Sequence, residues 1–159
     1  MQKALLRDAI VAQLHRELEV QTRAALDSRD EATSSENKQE GKYDMRAQEA
    51  AYLAEAQARL AAEIGESVTL YQSMDLPVFP AGSPAAVGAL ITLQGPKGRT
   101  CYFLGPRHGG LETQFEKVTV TVITPSSPLG RQLLGRRHGD TVQLPGRGAP
   151  VAHRIVAID

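Results

Sequence analysis

The chain has 159 residues, 42% of them hydrophobic and 23% charged, with 18 Lys/Arg balanced by 18 Asp/Glu. Its length admits one domain or two small ones, its composition is that of an ordinary soluble protein, and no apolar run approaches the roughly 18 residues that a bilayer span needs. A single cysteine, Cys101, excludes an internal disulfide and a cysteine-based zinc site. Arg7 and Asp8, early in a helical pattern, leave no room for a secretory apolar core, so a cytoplasmic location without membrane attachment is expected.

The zero net charge hides an asymmetry. Residues 1–66 carry nine Lys/Arg against thirteen Asp/Glu, and residues 67–159 carry nine against five, so the halves stand at −4 and +4. Such a split predicts two units with different electrostatic tasks. An acidic half is a poor ligand for phosphates, which bind through Lys and Arg, so the N-terminal half is not expected to grip nucleic acid directly.

Residues 3–26 place Ala4, Val11, Leu14, Leu18 and Ala25 at 3-4 spacing, interrupted by Arg7 and Gln21 and widened by Leu6 and Ile10. Residues 43–64 repeat the spacing with Tyr43, Ala50, Leu53, Leu60 and Ile64, interrupted by Arg46 and Gln57. Two amphipathic helices of one period bury each other most simply as an antiparallel coiled coil. Arg46/Glu49, Glu55/Arg59 and Arg59/Glu63 stand three or four apart, as helix-supporting ion pairs do. Between the helices, residues 27–44 form the expected bend, and six of these eighteen residues are acidic. Ser28-x-x-Glu31 and Thr33-x-x-Glu36 match the capping box. Glu36, Glu40 and Asp44 step by four along one side, while Lys38, Lys42 and Arg46 step by four along another. Carboxylates gathered away from cations suit a hard cation such as Mg²⁺, with partner groups or water completing its shell. Either a solvated turn or a working tip satisfies this pattern.

Gly65 and Ser67 are read as the end of the helical half, with a short strand-like Val68–Tyr71 before Pro77, Pro80, Gly82 and Pro84. The boundary falls at 66/67. Beyond it the pattern is β: 87–93, a Gly-Pro-Lys-Gly turn at 95–98, 99–104 with Cys101 as a buried structural thiol, 118–123, 141–144 and 153–158. Ser127 before Pro128 caps a short helix over 129–134 that Gly135 stops. The whole is an α+β chain: an N-terminal antiparallel two-helix coiled coil (1–66, acidic tip 27–44) and a C-terminal antiparallel sheet with one short helix (67–159).

The four histidines show no metal-ligand spacing, and no phosphate-binding Gly-Lys-Ser/Thr sequence or nucleophile elbow appears. Gly105–Gly110 is glycine-rich but lacks the following helix that would aim N–H groups at a phosphate. A hydrolase or transferase with its own complete active site finds no support, so the chain is not expected to be an enzyme.

Residues 122–142, with Ser127-Pro128-Leu129-Gly130-Arg131-Gln132-Leu133-Leu134-Gly135 and then Gly139-Asp140-Thr141-Val142, resemble the C-terminal signature of the bacterial Gre transcript-cleavage factors. The match holds at about ten discriminating positions, and the length, hairpin and α+β domain extend it over most of the chain. The resemblance implies an FKBP-like C-terminal domain docked at the rim of the RNA polymerase secondary channel, with Ser127, Pro128 and Arg131 at the docking surface. It implies a monomer whose coiled-coil tip reaches the polymerase active centre and meets the RNA 3′ end only there. Tip acids Glu36, Glu40, Asp30 and Glu31 would act on that centre, Glu36 and Glu40 sharing a Mg²⁺ that the chain does not hold stably alone. The polymerase would then cleave backtracked RNA.

The tip departs from the Gre pattern, Asp-x-x-Glu-Asn followed by an acidic-aromatic pair. Matching Glu36-Asn37 puts Thr33 at the aspartate and Tyr43 three residues late; matching Tyr43 puts Gln39 at the glutamate and Glu36 at the aspartate. Neither register restores the pair. The alternative is a Gre-like paralogue that occupies the channel and inhibits or modulates transcription without cleavage. A more distant alternative is an FKBP-like peptidyl-prolyl isomerase, which needs an aromatic-walled pocket in a chain with no Trp. The last is a coiled-coil adaptor, which the 127–142 motif disfavours.

Overall fold

A computed structural model describes the backbone of residues 3–33 and 41–159 and the side chains of 3–33 and 45–159. Helix α1 spans Lys3–Thr33 and α2 spans Gly41–Ser73, followed by strands β1 (Leu90–Gly95), β2 (Gly98–Leu104), β3 (Glu112–Phe115) and β4 (Val118–Ile123), helix α3 (Pro128–Leu133), and strands β5 (Thr141–Leu144) and β6 (Val151–Ile158). The fold is α+β, as the sequence predicts. It divides into two compact units: Ala12–Val68, and a second made of the chain up to Val11 together with Thr69–Asp159.

In the helical unit α1 and α2 run antiparallel. Ser28 Oγ donates to Gln57 Oε1 at 2.8 Å, while Gln21, earlier in α1, lines a groove with Ile64, later in α2. The seam is not the one expected from the leucines. Ala47, Ala50, Ala54, Gln57, Ala61, Ile64 and Val68 are the buried or half-buried residues of α2 at 3-4 spacing, and Leu14, Glu17, Gln21, Ala24 and Ser28 are their counterparts in α1. Leu53 and Leu60 are 52% and 49% exposed. The leucines stand one position away from the alanines on the same broad apolar face, and periodicity alone does not choose between adjacent stripes. Small side chains let the two backbones approach, and close packing follows the alanines.

Further expectations in this half meet the structure as follows. Ser28 is an interior helix residue and not a cap, because α1 runs on to Thr33. The Thr33 hydroxyl donates back to the carbonyls of Arg29 and Asp30, and Glu36, its capping-box partner, lies outside the described residues. Residues 68–71 are helix and not strand: α2 passes through Gly65 and Ser67 to Ser73. A lone interior glycine costs about 1 kcal/mol, which burying Val68 and Tyr71 outweighs at about 1.5–3 kcal/mol each. Among the described residues, Glu55, Arg59 and Glu63 form no ion pair within 4 Å, whereas Arg7–Asp8 at 3.0 Å and Arg23–Glu19 at 3.7 Å do. Holding two long exposed side chains in one geometry offsets most of what such a pair gains.

The other unit is a six-stranded sheet in the order β3-β4-β2-β1-β6-β5. Every pairing is antiparallel except β2 with β4. One face carries the core of Ile91, Leu93, Leu104, Ile123, Val142 and Ile155, closed by Leu133 of α3. Alternation along β2 and β4 sends Phe103, Val120 and Val122 to the opposite face, and they are buried too. Leu6 and Ile10 of α1 and Tyr71 of α2 are fully buried in this unit. Tyr71 Oη donates to Arg107 O at 2.7 Å, and burial pushes its phenol above the ordinary value. A Cβ at Gly105 would lie 2.1 Å from that oxygen, which explains one glycine of the 105–110 loop.

Strand β3 escapes the sequence reading. Its hairpin with β4 pairs Phe115 with Val118 through a two-residue turn, Glu116-Lys117, in which both residues have positive φ, 47° and 68°. Such turns are usually Asn-Gly or Asp-Gly; Glu-Lys gives no turn signal, and the strand beside it went unread. Strand β1 begins at Leu90, after Gly88 at φ 92°. Cys101 is half-buried, with its sulfur 3.6 Å from Thr92 Oγ1.

Candidate functional site

Two places carry the residues singled out above, one in each unit. The first is the far end of α1. Asp30 and Glu31 lie in its last turn and are exposed. Glu36 and Glu40, the pair given the leading role, lie outside the described residues. Thr33 brings no carboxylate, and its hydroxyl is used within the helix. Among the described residues no group of three or more His, Cys, Asp or Glu is placed to hold a metal ion. The donor chemistry still suits a hard cation: carboxylate oxygens on a solvated helix end are what Mg²⁺ accepts one or two at a time while keeping water.

The second place is the start of α3, where the geometry is well defined. Ser127 is the N-cap, at φ −68° and ψ 155°, and its Oγ accepts from Gly130 N at 3.0 Å. The same oxygen donates to Thr124 O at 2.7 Å, so both hydrogen-bonding roles of the hydroxyl are filled inside the protein. Pro128 occupies the first helical position, where its missing N–H costs nothing. Gly130 is required by a close approach: a Cβ there would stand 1.8 Å from Thr124 O. Gly135, at φ 79°, ends the helix as expected.

Ser127, Pro128 and Arg131 are thus brought together, with different freedoms. Ser127 is half-buried and bonded; Pro128 and Arg131 are exposed. Arg131 Nε donates to Ser126 O at 3.0 Å, which fixes the guanidinium while leaving its outer amino groups for a partner. Pro128, Arg131 and Leu134, three apart, line the solvent side of this turn, and Leu134 is 48% exposed. Leu134 was not singled out from sequence as a surface residue; the cue is its three-residue step from Arg131 against the buried Gly130 and Leu133.

Lys3 also went unread. It is 8% exposed, its Nζ donates to Pro77 O and to Gly88 O, the latter at 3.2 Å, and it stands 4.6 Å from the Phe79 ring centroid. Its partners lie more than 70 residues away along the chain, so no local pattern signals them. Of the histidines, His153 packs its ring against Gly95.

No family profile matches the chain, and no curated protein matches it. Among solved structures it is similar to the transcription factor Gfh1, at 20% identity over 94% of this chain and 93% of that one, with a TM-score of 0.40. It is similar to Thermus aquaticus Gfh1 at 24% identity, over 95% and 94% of the two chains, with a TM-score of 0.39. A transcription elongation factor GreA/GreB from Nitrosomonas europaea is similar at 19% identity over 60% of this chain and 78% of that one, also at 0.39. These three solved structures are of transcription factors of the Gre and Gfh1 kind.

Proposed function

We propose that the chain is a cytoplasmic, monomeric regulator of bacterial RNA polymerase of the Gre type. The C-terminal unit docks at the rim of the secondary channel through Pro128 and Arg131, with Ser127 holding the turn that presents them. The helical hairpin enters the channel and brings its acidic end to the active centre. The observation that carries this reading is the α3 turn. The Ser127-Pro128-x-Gly130-Arg131 run that resembles the Gre signature folds into a capped turn with its proline and arginine outward, on a chain that also carries a long antiparallel hairpin with acids at its end.

At the active centre Glu36 and Glu40 would supply oxygens to a Mg²⁺ shared with the polymerase, and Asp30 and Glu31 would add negative potential nearby. The metal would polarise the scissile phosphate and lower the pKa of a bound water. The chain's own part is to orient that water and exclude bulk solvent. Cleavage of backtracked RNA belongs to the polymerase, and the chain is not itself an enzyme.

A second reading has a specific observation behind it. Where the Gre pattern matched on Glu36-Asn37 needs an aspartate, Thr33 stands with its hydroxyl bonded into α1. A tip short of one acid suits a paralogue that fills the channel and slows transcription. Against the isomerase reading, Tyr71 and Phe103 are fully buried, and neither the groove at Pro80–Ser83 nor the groove at Leu144–Arg147 is lined by Phe, Tyr or Trp.

The deciding experiment incubates a backtracked polymerase complex with the protein and Mg²⁺ and follows release of the RNA 3′ fragment. Release abolished by Glu36→Gln with Glu40→Gln supports cleavage stimulation. Slowed elongation without release supports the channel-filling alternative. Absence of both effects refutes the polymerase reading.

A further inference from the structure

At one end of the sheet, the β1–β2 turn and the β5–β6 connection enclose a groove of about 360 Å³. It is lined by the apolar Pro96, Leu144, Pro145 and Val151 and by Lys97, Arg147 and His153. None of the lining residues is acidic, and neither Lys97 nor Arg147 is in an ion pair. We propose that this groove is a binding site for a partner polypeptide that presents one large apolar side chain followed by carboxylates.

Three features make it a formed site. His153 Nδ1 lies 3.0 Å from Val151 O; a carbonyl only accepts, so Nδ1 carries the proton and the ring orientation is fixed. The other side of the ring presses on the backbone at Gly95, where a Cβ would stand 2.2 Å from Nε2. Only glycine admits the ring there. Gly146 is equally tight: a Cβ would meet Val151 Cγ2 at 2.5 Å, so the connection is clamped over β6. The walls are set before any ligand arrives, which lowers the ordering cost of binding.

The chemistry selects the occupant. A largely apolar groove of this volume, at the small end of ligand pockets, takes one large side chain. The Lys97 ammonium and the Arg147 guanidinium, with no carboxylate among the lining residues, favour an anion beside it, and electrostatic complementarity of this kind sets specificity more than raw affinity. Single-stranded nucleic acid binds through aromatic platforms, and none lines this groove. The groove draws on the +4 excess of residues 67–159.

The test uses the full ¹⁵N-labelled chain and an acetylated, amidated peptide containing Phe-Asp-Asp. Amide shifts confined to Lys97, Gly98, Gly146, Arg147 and Val151 are expected. Replacing the aspartates by asparagine, or combining Lys97→Glu with Arg147→Glu, should each weaken binding about tenfold. The proposal is overturned if the asparagine peptide binds as tightly, if the charge reversals change nothing, or if the shifts lie elsewhere. It is equally overturned if inorganic phosphate or oligouridylate moves the same amides at lower concentration than the peptide.

Discussion

Replacing Lys3 by methionine tests how the first turns of α1 are held to the C-terminal unit. The Lys3 ammonium donates to Pro77 O and Gly88 O and stands 4.6 Å from the Phe79 centroid. A hydrogen bond from a charged donor is worth about 1.5–3 kcal/mol, and a cation–π contact adds about 0.5–2 kcal/mol. Against this stands the cost of desolvating the ammonium of a residue that is only 8% exposed, several kcal/mol in typical cases. Methionine removes that cost and fills much of the volume, but leaves two carbonyls without their donor at about 1–3 kcal/mol each. The balance is a loss of about 2 kcal/mol, or a fall in Tm on the order of 10 °C for a unit of this size. Thermal and urea unfolding followed by far-UV circular dichroism reads it directly.

The same residue gives a pH signature. Burial holds the Lys3 ammonium below its ordinary 10.5, with Asp159 opposing. Between the folded value and 10.5 the unfolded chain binds the proton more tightly, so folding releases it and stability rises with pH. Below the folded value both states are protonated and the effect is flat. Wild-type stability relative to Lys3→Met should therefore climb as pH rises towards 10.5. A variant at least as stable as wild type at pH 7, or a difference that shrinks as pH rises, would refute the reasoning.

Other expectations follow from local geometry. Glu116→Asn with Lys117→Gly places the preferred residues at two positive-φ positions and should stabilise the chain by about 1 kcal/mol, read as a higher urea midpoint with unchanged m-value. Ser127→Ala removes the α3 cap and should cost about 1 kcal/mol of stability; if the polymerase reading holds, folded Ser127→Ala should retain most binding while Arg131→Glu loses it. Tyr71→Phe deletes one buried hydrogen bond and should cost about 1–2 kcal/mol, seen as a lower unfolding midpoint.

The elements legible in the sequence are those set by local chemistry. The two helices, the strands at 118–123 and 141–144, and the Ser127–Gly135 turn each carry their signals within a few residues. What escaped depends on distant partners or on choices between equal patterns. Nothing near Lys3 announces Pro77 or Gly88. The α1–α2 seam runs along Ala47, Ala50 and Ala54, because neighbouring apolar stripes share one period. The β3–β4 turn adopts positive φ in Glu-Lys, held by strand pairing against local preference. Of the candidate site, the α3 turn was readable nearly to the atom, since cap, proline and close glycine are local devices. The hairpin acids were readable as composition only, and Glu36 and Glu40 lie outside the described residues.

The central claim is engagement of RNA polymerase through the α3 turn. Its most direct test is a titration of the fluorescently labelled full-length protein with bacterial RNA polymerase at low salt, for wild type and Arg131→Glu. The account predicts saturable one-to-one binding, displaced by unlabelled protein and weakened about tenfold or more by the charge reversal. Absence of wild-type binding, or equal binding by both proteins, would contradict it.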